Sequence, residues 1–98
     1  MDVSYELDGI TFTWDAAKAE ENVDKHGVSF QTAAEAVLDP FVQVVEIQHE
    51  RGEERTIVVG LTRAWQLLRV VSVLRRASVR LISARNVTRT ERKRYEDR

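Results

Sequence analysis

Apolar and polar residues alternate in Ile10-Thr11-Phe12-Thr13-Trp14, the pattern of a short half-buried strand. Asp15 follows as a helix N-cap, Ala16 to Lys25 consists of good helix formers, and Gly27 offers left-handed backbone just past the end. Ser29 can cap a second helix, in which Phe30, Ala33, Ala34, Val37 and Leu38 recur at helical spacing as one apolar stripe before Asp39-Pro40 stops the run. From residue 41 the period shortens to two. The runs Phe41 to Ile47, Arg55 to Leu61, Leu67 to Leu74 and Val79 to Ala84 are β-rich and separated by short polar connections, which predicts a four-stranded antiparallel meander. Thr88 and Glu91 have capping-box spacing, so a last helix is expected over Arg89 to Asp97, with Val87 and Tyr95 as its apolar anchors. The reading is a single α+β domain over residues 1–98: two N-terminal helices packed on a four-stranded antiparallel sheet, with a C-terminal helix.

Composition narrows the function classes. With no cysteine, disulfides and thiolate metal sites are impossible, and the cytoplasm is the expected compartment. The first residues carry no basic, apolar leader, and no run approaches the roughly 20 apolar residues of a membrane span, so no membrane association is expected. The formal net charge of −1 hides a strong asymmetry. Residues 1–50 hold two basic and eleven acidic side chains, giving −9, whereas residues 51–98 hold thirteen and five, giving +8. Twelve of those thirteen are arginines, whose planar fork suits phosphate or carboxylate. An anionic partner would fit this half, and so would simple pairing with the acidic half of the chain.

Several residues are candidates for chemistry. Lys18, Asn22 and Lys25 fall on one stripe of the first helix. Lys18 lies in the first turn, where the helix dipole disfavours a cation by about 0.3–1 kcal/mol, and a locally unfavourable choice points to function. Lys25 and His26 suit the helix C-terminus electrostatically, but imidazole is also the side chain type that exchanges protons near neutral pH. Glu53 and Arg55 share a face if the strand begins at Glu53. Arg80 and Arg85 have opposite parity, so a regular strand would send them to opposite faces. His26 and His49, without cysteines, give no metal-ligand spacing, and neither a metal nor another cofactor is expected.

The segment Trp14-Asp15-Ala16-Ala17-Lys18, with Asn22 and Lys25-His26-Gly27-Val28-Ser29-Phe30, resembles the opening signature of the BrnT family of bacterial toxins. Asp39-Pro40, Gly52-Glu53-Glu54-Arg55, Gly60, the run Leu68 to Val71, Arg80 to Arg85, Thr88, Glu91-Arg92 and Tyr95 are similar to the rest of the family pattern, in order. Trp65 departs from it, standing where a small turn residue is expected, and so does Ser72, where an aromatic or histidine is more usual. The resemblance implies a RelE-like fold and a metal-independent endoribonuclease that inhibits growth. It also implies neutralisation by a BrnA-like antitoxin, which itself binds DNA, and a homodimer within the toxin-antitoxin complex. Metal-free RNA cleavage uses the substrate's 2′-hydroxyl as nucleophile, and needs a base and a cationic clamp on the phosphate. Arg55, Arg80 and Arg85 are expected as the clamp, His26 or Glu53 as the base, and Lys18, Lys25 and Tyr95 as substrate contacts. The alternative is a non-catalytic module that binds nucleic acid or protein through the same charges.

Overall fold

Asp8 and Gly9 take φ angles of 51° and 81°, a two-residue turn whose twist matches that of flanking antiparallel strands. The alternating run before it therefore folds back, and β1 (Asp2–Leu7) pairs antiparallel with β2 (Ile10–Asp15) in full register, from Asp2↔Asp15 to Leu7↔Ile10. The computed structural model describes residues 1–97. After β2 come α1 (Ala16–His26), α2 (Phe30–Val37), β3 (Gln43–Glu50), β4 (Glu53–Leu61), β5 (Leu67–Leu74), β6 (Val79–Asn86) and α3 (Arg89–Glu96).

The caps fall where the side chains predict them. Asp15 accepts from the Lys18 amide at the start of α1, and Gly27 ends that helix at φ 69°. Ser29 caps α2, and Thr88 with Glu91 closes a reciprocal capping box on α3. The start of β3 is later than the apolar run suggests, because the Asp39 carboxylate accepts from the Phe41 and Leu61 amides and holds residues 40–42 in a turn.

The sheet corrects the four-stranded antiparallel expectation. It has six strands in the order β1-β2-β6-β5-β4-β3 and is mixed, because β2 lies parallel to β6. The meander β3 to β6 is as expected, but β1 and β2 extend it on the β6 side. The connection from β2 to its parallel neighbour runs through both N-terminal helices and three strands, so adjacent residues in sequence give no hint of that pairing.

Helices α1 and α2 pack on one face. Their core joins Phe12, Trp14, Phe30, Ala33, Ala34, Ala36, Val58, Leu68, Val70 and Leu81. The small stripe of α2 lets it approach β4 closely: a Cβ on Gly60 would lie 2.0 Å from the Ala36 carbonyl oxygen. The opposite face carries no helix except α3, which covers one end of it through Tyr95, packed with Val59 and Leu67 and flanked by Val45, Leu61 and Val87. The weakly amphipathic last helix thus packs on its own sheet. Trp65 sits in the β4–β5 turn at φ 65°, a left-handed conformation that costs an L-residue with a bulky side chain about 1–2 kcal/mol.

Candidate functional site

The strand pairings assign each arginine to a face. Leu68 and Val70 of β5 point into the helix-packed core, so Arg69, Val71 and Val73 point to the opposite face. Residues paired directly across a sheet share a face, and the ladder therefore adds Arg85 opposite Arg69, Arg80 opposite Val73, and Ile57 opposite Val71. Arg55 lies two residues from Ile57 and joins them. Four arginines, from β4, β5 and β6, stand on the face opposite α1 and α2, which is helix-free except where α3 covers one end.

The parity conflict between Arg80 and Arg85 is resolved by a bulge. Val71 pairs with Ser83 but Ser72 pairs with Leu81, which leaves Ile82 as an extra residue in β6. The bulge shifts the alternation by one and returns Arg85 to the face of Arg80. Within this face Ile57 is fully buried and Val73 nearly so, although no helix lies over them. Long side chains close over the apolar centre, and the four arginines are themselves largely buried along their stems.

Each of the four is held by a carboxylate. Arg80 makes a two-pronged contact with Asp2 at 3.0 and 3.3 Å, and Arg85 makes another with Glu91 at 2.9 and 3.0 Å. Arg69 lies 3.5 Å from Glu91 and 3.7 Å from Glu46, and Arg55 lies 3.3 Å from Glu50. The Nε of Arg55 is buried with no hydrogen-bond partner. Arg85 is the main reason that Glu91 is held at a pKa of about 2, helped by the Thr88 amide and by Arg69 against the opposing effect of burial. Hydrogen bonding and attraction from Arg80 likewise lower the pKa of Asp2.

A second cluster borders this face along β6. Strand β2 pairs with β6 only at Phe12↔Val79 and Thr13↔Arg80, so the rest of that β6 edge lacks a strand neighbour. Helix α1 takes the place. The buried Asn22 amide donates to the Ala84 carbonyl at 2.8 Å, accepts from the Ala84 amide at 3.1 Å, and donates to the Val28 carbonyl at 2.9 Å. One side chain thereby satisfies the strand edge as a neighbouring backbone would. Beside it, Lys18, Lys25 and His26 line a cleft of about 210 Å³ with Glu21, Ile82 and Ser83. Ser83 lies between Arg80 and Arg85 on their face, so the cleft opens at the margin of the arginine surface.

Glu53 shares the face of Arg55, as their spacing requires, but it pairs with Arg75 at 3.2 Å beside the β5–β6 turn, away from the His26 cleft. Tyr95 is buried, and its hydroxyl donates to Asp39 at 2.5 Å. That placement gives Tyr95 a structural role and removes it from the substrate-contact residues. His49 lies in β3, 3.4 Å from Glu54. Arg69 was missed by sequence reasoning, since between Leu68 and Val70 it reads as one polar position of a strand. Among the described residues, no group of three or more His, Asp or Glu side chains is arranged to hold a metal ion. No helix is long and apolar enough to cross a membrane.

A family model described as the ribonuclease toxin BrnT of a type II toxin-antitoxin system matches residues 14–91. The chain belongs to the BrnT family. Its BrnT membership makes it a ribonuclease toxin, with RNA as its target and an antitoxin as its partner. The match begins after β1, which lies outside the shared segment. Among solved structures, the crystal structure of the Brucella abortus ribonuclease toxin BrnT is similar at 18% identity. It covers 78% of this chain and 94% of that one with a TM-score of 0.52, a likeness of fold. No curated protein matches the chain.

Proposed function

We propose that the chain is a metal-independent endoribonuclease that binds RNA across the helix-free face, and that a BrnA-like, DNA-binding antitoxin silences it. The observation that carries this reading is the bulge at Ile82, which puts Arg80 and Arg85 on one face with Arg55 and Arg69, while Lys18, Lys25 and His26 line the adjoining edge. The arginines clamp the scissile phosphate and stabilise the charge that grows on its oxygens. His26 takes the proton of the substrate's 2′-hydroxyl, whose oxygen attacks the neighbouring phosphorus in line. The P–O5′ bond breaks and the leaving oxygen takes a proton from water, giving a 2′,3′-cyclic phosphate on one product and a 5′-hydroxyl on the other, and His26 returns its proton to the resulting hydroxide. Lys18 and Lys25 hold the phosphates that flank the reacting one. His26 is preferred to Glu53 as base because it borders the strand that carries Arg80 and Arg85, whereas Glu53 is engaged by Arg75.

The carboxylates on the arginines do not block this. An RNA phosphate offers the guanidinium fork the same two-pronged anionic acceptor as a carboxylate, so RNA can take the carboxylates' place on the arginines. The test is incubation of purified protein with RNA in EDTA and analysis of the new ends. Cyclic phosphate ends support the proposal; activity that needs added magnesium, or binding without cleavage, contradicts it.

A further inference from the structure

Among the described residues, the exposed aromatic side chains are Phe41 and Trp65, 61% and 80% exposed, and they line the same groove. The groove holds about 470 Å³ and lies at the end of the molecule where the β4–β5 turn, the C-terminus of α2 and the β1–β2 turn meet. Leu38, Pro40 and Leu61 also line it, so it is largely apolar. Asp8, Glu35 and Asp39 against Arg63 leave it with a net negative charge. Arg63 is locked in place, donating to Asp8 at 2.6 Å while its backbone amide donates to Glu35 at 3.0 Å. The four arginines of the RNA face take no part in lining it.

Trp65 is the telling residue. Its backbone is left-handed, a conformation suited to glycine or asparagine, and its indole adds little to the core at that exposure. Folding does not explain a tryptophan there, and the acidic side chains around it repel an RNA backbone. Tryptophan in an apolar hollow rimmed by charge is the usual anchor of a protein interface.

We infer that this groove is the docking site for a segment of the antitoxin, one that inserts an apolar side chain between Phe41 and Trp65 and sets a lysine or arginine against Glu35. The apolar centre of the RNA face is already covered by arginine stems, so that face offers charge but no such anchor. The negative groove selects a basic segment, whereas the arginine face selects an acidic one. The inference rests on the toxin-antitoxin reading and adds to it a second contact that lies off the nuclease surface.

The test uses the purified full chain and a BrnA-like antitoxin, with affinity measured by calorimetry and RNA cleavage scored on the same protein preparations free of antitoxin. Trp65→Gly relieves the left-handed backbone, so its melting temperature should stay level or rise, while antitoxin affinity falls by about 30-fold or more. Phe41→Ser and Glu35→Lys should weaken binding in the same direction, and all three variants should cleave RNA at the wild-type rate. Antitoxin that binds Trp65→Gly and Glu35→Lys as tightly as wild type overturns the inference. So does wild-type self-association lost in Trp65→Gly with antitoxin affinity unchanged, since the groove would then belong to a second copy. Wild-type protein that binds the antitoxin but, assayed free of it, leaves RNA intact overturns the nuclease reading alone.

Discussion

Asn22 connects the two parts of the site, because its buried amide ties α1 to Ala84 on β6 and so fixes Lys18, Lys25 and His26 beside the arginine face. In the sequence it shares a stripe with Lys18 and Lys25 and looks like one more surface polar residue. Nothing local marks it as buried, since the edge it satisfies is 62 residues away. Arg80 was legible as an arginine bracketed by apolar strand residues, and Arg55 and Arg85 as charged positions at strand ends, but their common face was not, because a bulge such as that at Ile82 leaves no reliable trace in residue types. The chemistry assigned to His26 is open to direct measurement. With His26 as the base, His26→Gln should lower the single-turnover cleavage rate by about 100-fold with RNA affinity nearly unchanged. A variant that loses affinity but keeps the rate at saturating RNA would make His26 a binding contact and return the base to Glu53.

At the scale of elements, α1, α2, α3 and strands β3 to β6 follow from caps and periodicity, whereas β1 and the parallel β2–β6 pairing were missed. The signal for β1 was present: Val3, Tyr5 and Leu7 alternate with polar residues before an Asp8-Gly9 turn. The parallel pairing had no such signal, because it joins strands far apart in the chain. Helix α2 depends on Gly60 for its close approach to β4. Gly60→Ala would press a methyl group against the backbone at Ala36 and should destabilise the fold by about 3 kcal/mol, read by chemical denaturation; an unchanged midpoint would mean that α2 sits further from the sheet. Helix α3 depends on Glu91, whose carboxyl titrates near a pKa of about 2 when folded, below its ordinary 4.5. A depressed acid stabilises the fold above its unfolded pKa and ceases to do so as pH falls through its folded value. Stability should therefore drop between about pH 4.5 and 2, and Glu91→Gln should remove that part of the acid loss while loosening α3 at neutral pH. An acid profile identical to wild type would show that Arg85 and Arg69 do not hold Glu91 as described.

Across the whole molecule, the acidic first half supplies carboxylates to the basic second half. Asp2 meets Arg80, Asp8 meets Arg63, Glu46 meets Arg69 and Glu50 meets Arg55. The charge asymmetry of the sequence is thus partly consumed inside the fold, and charge alone would not have distinguished a nuclease from a self-paired surface. What distinguishes them is placement: the arginines gather on one side of the sheet, and the apolar core and two helices lie on the other. Because Asp2 lies before the segment shared with the BrnT family, its grip on Arg80 belongs to the part of this chain outside the family match. The central claim is that the helix-free face is where RNA is cut, and the single-turnover cleavage rate of Arg55→Ala and Arg80→Ala tests it most directly. Both variants leave the helix-packed core untouched and should keep the wild-type circular dichroism, while the rate falls by about 100-fold, as expected when a donor to the developing phosphate charge is removed. Wild-type cleavage rates in both folded variants would contradict the account.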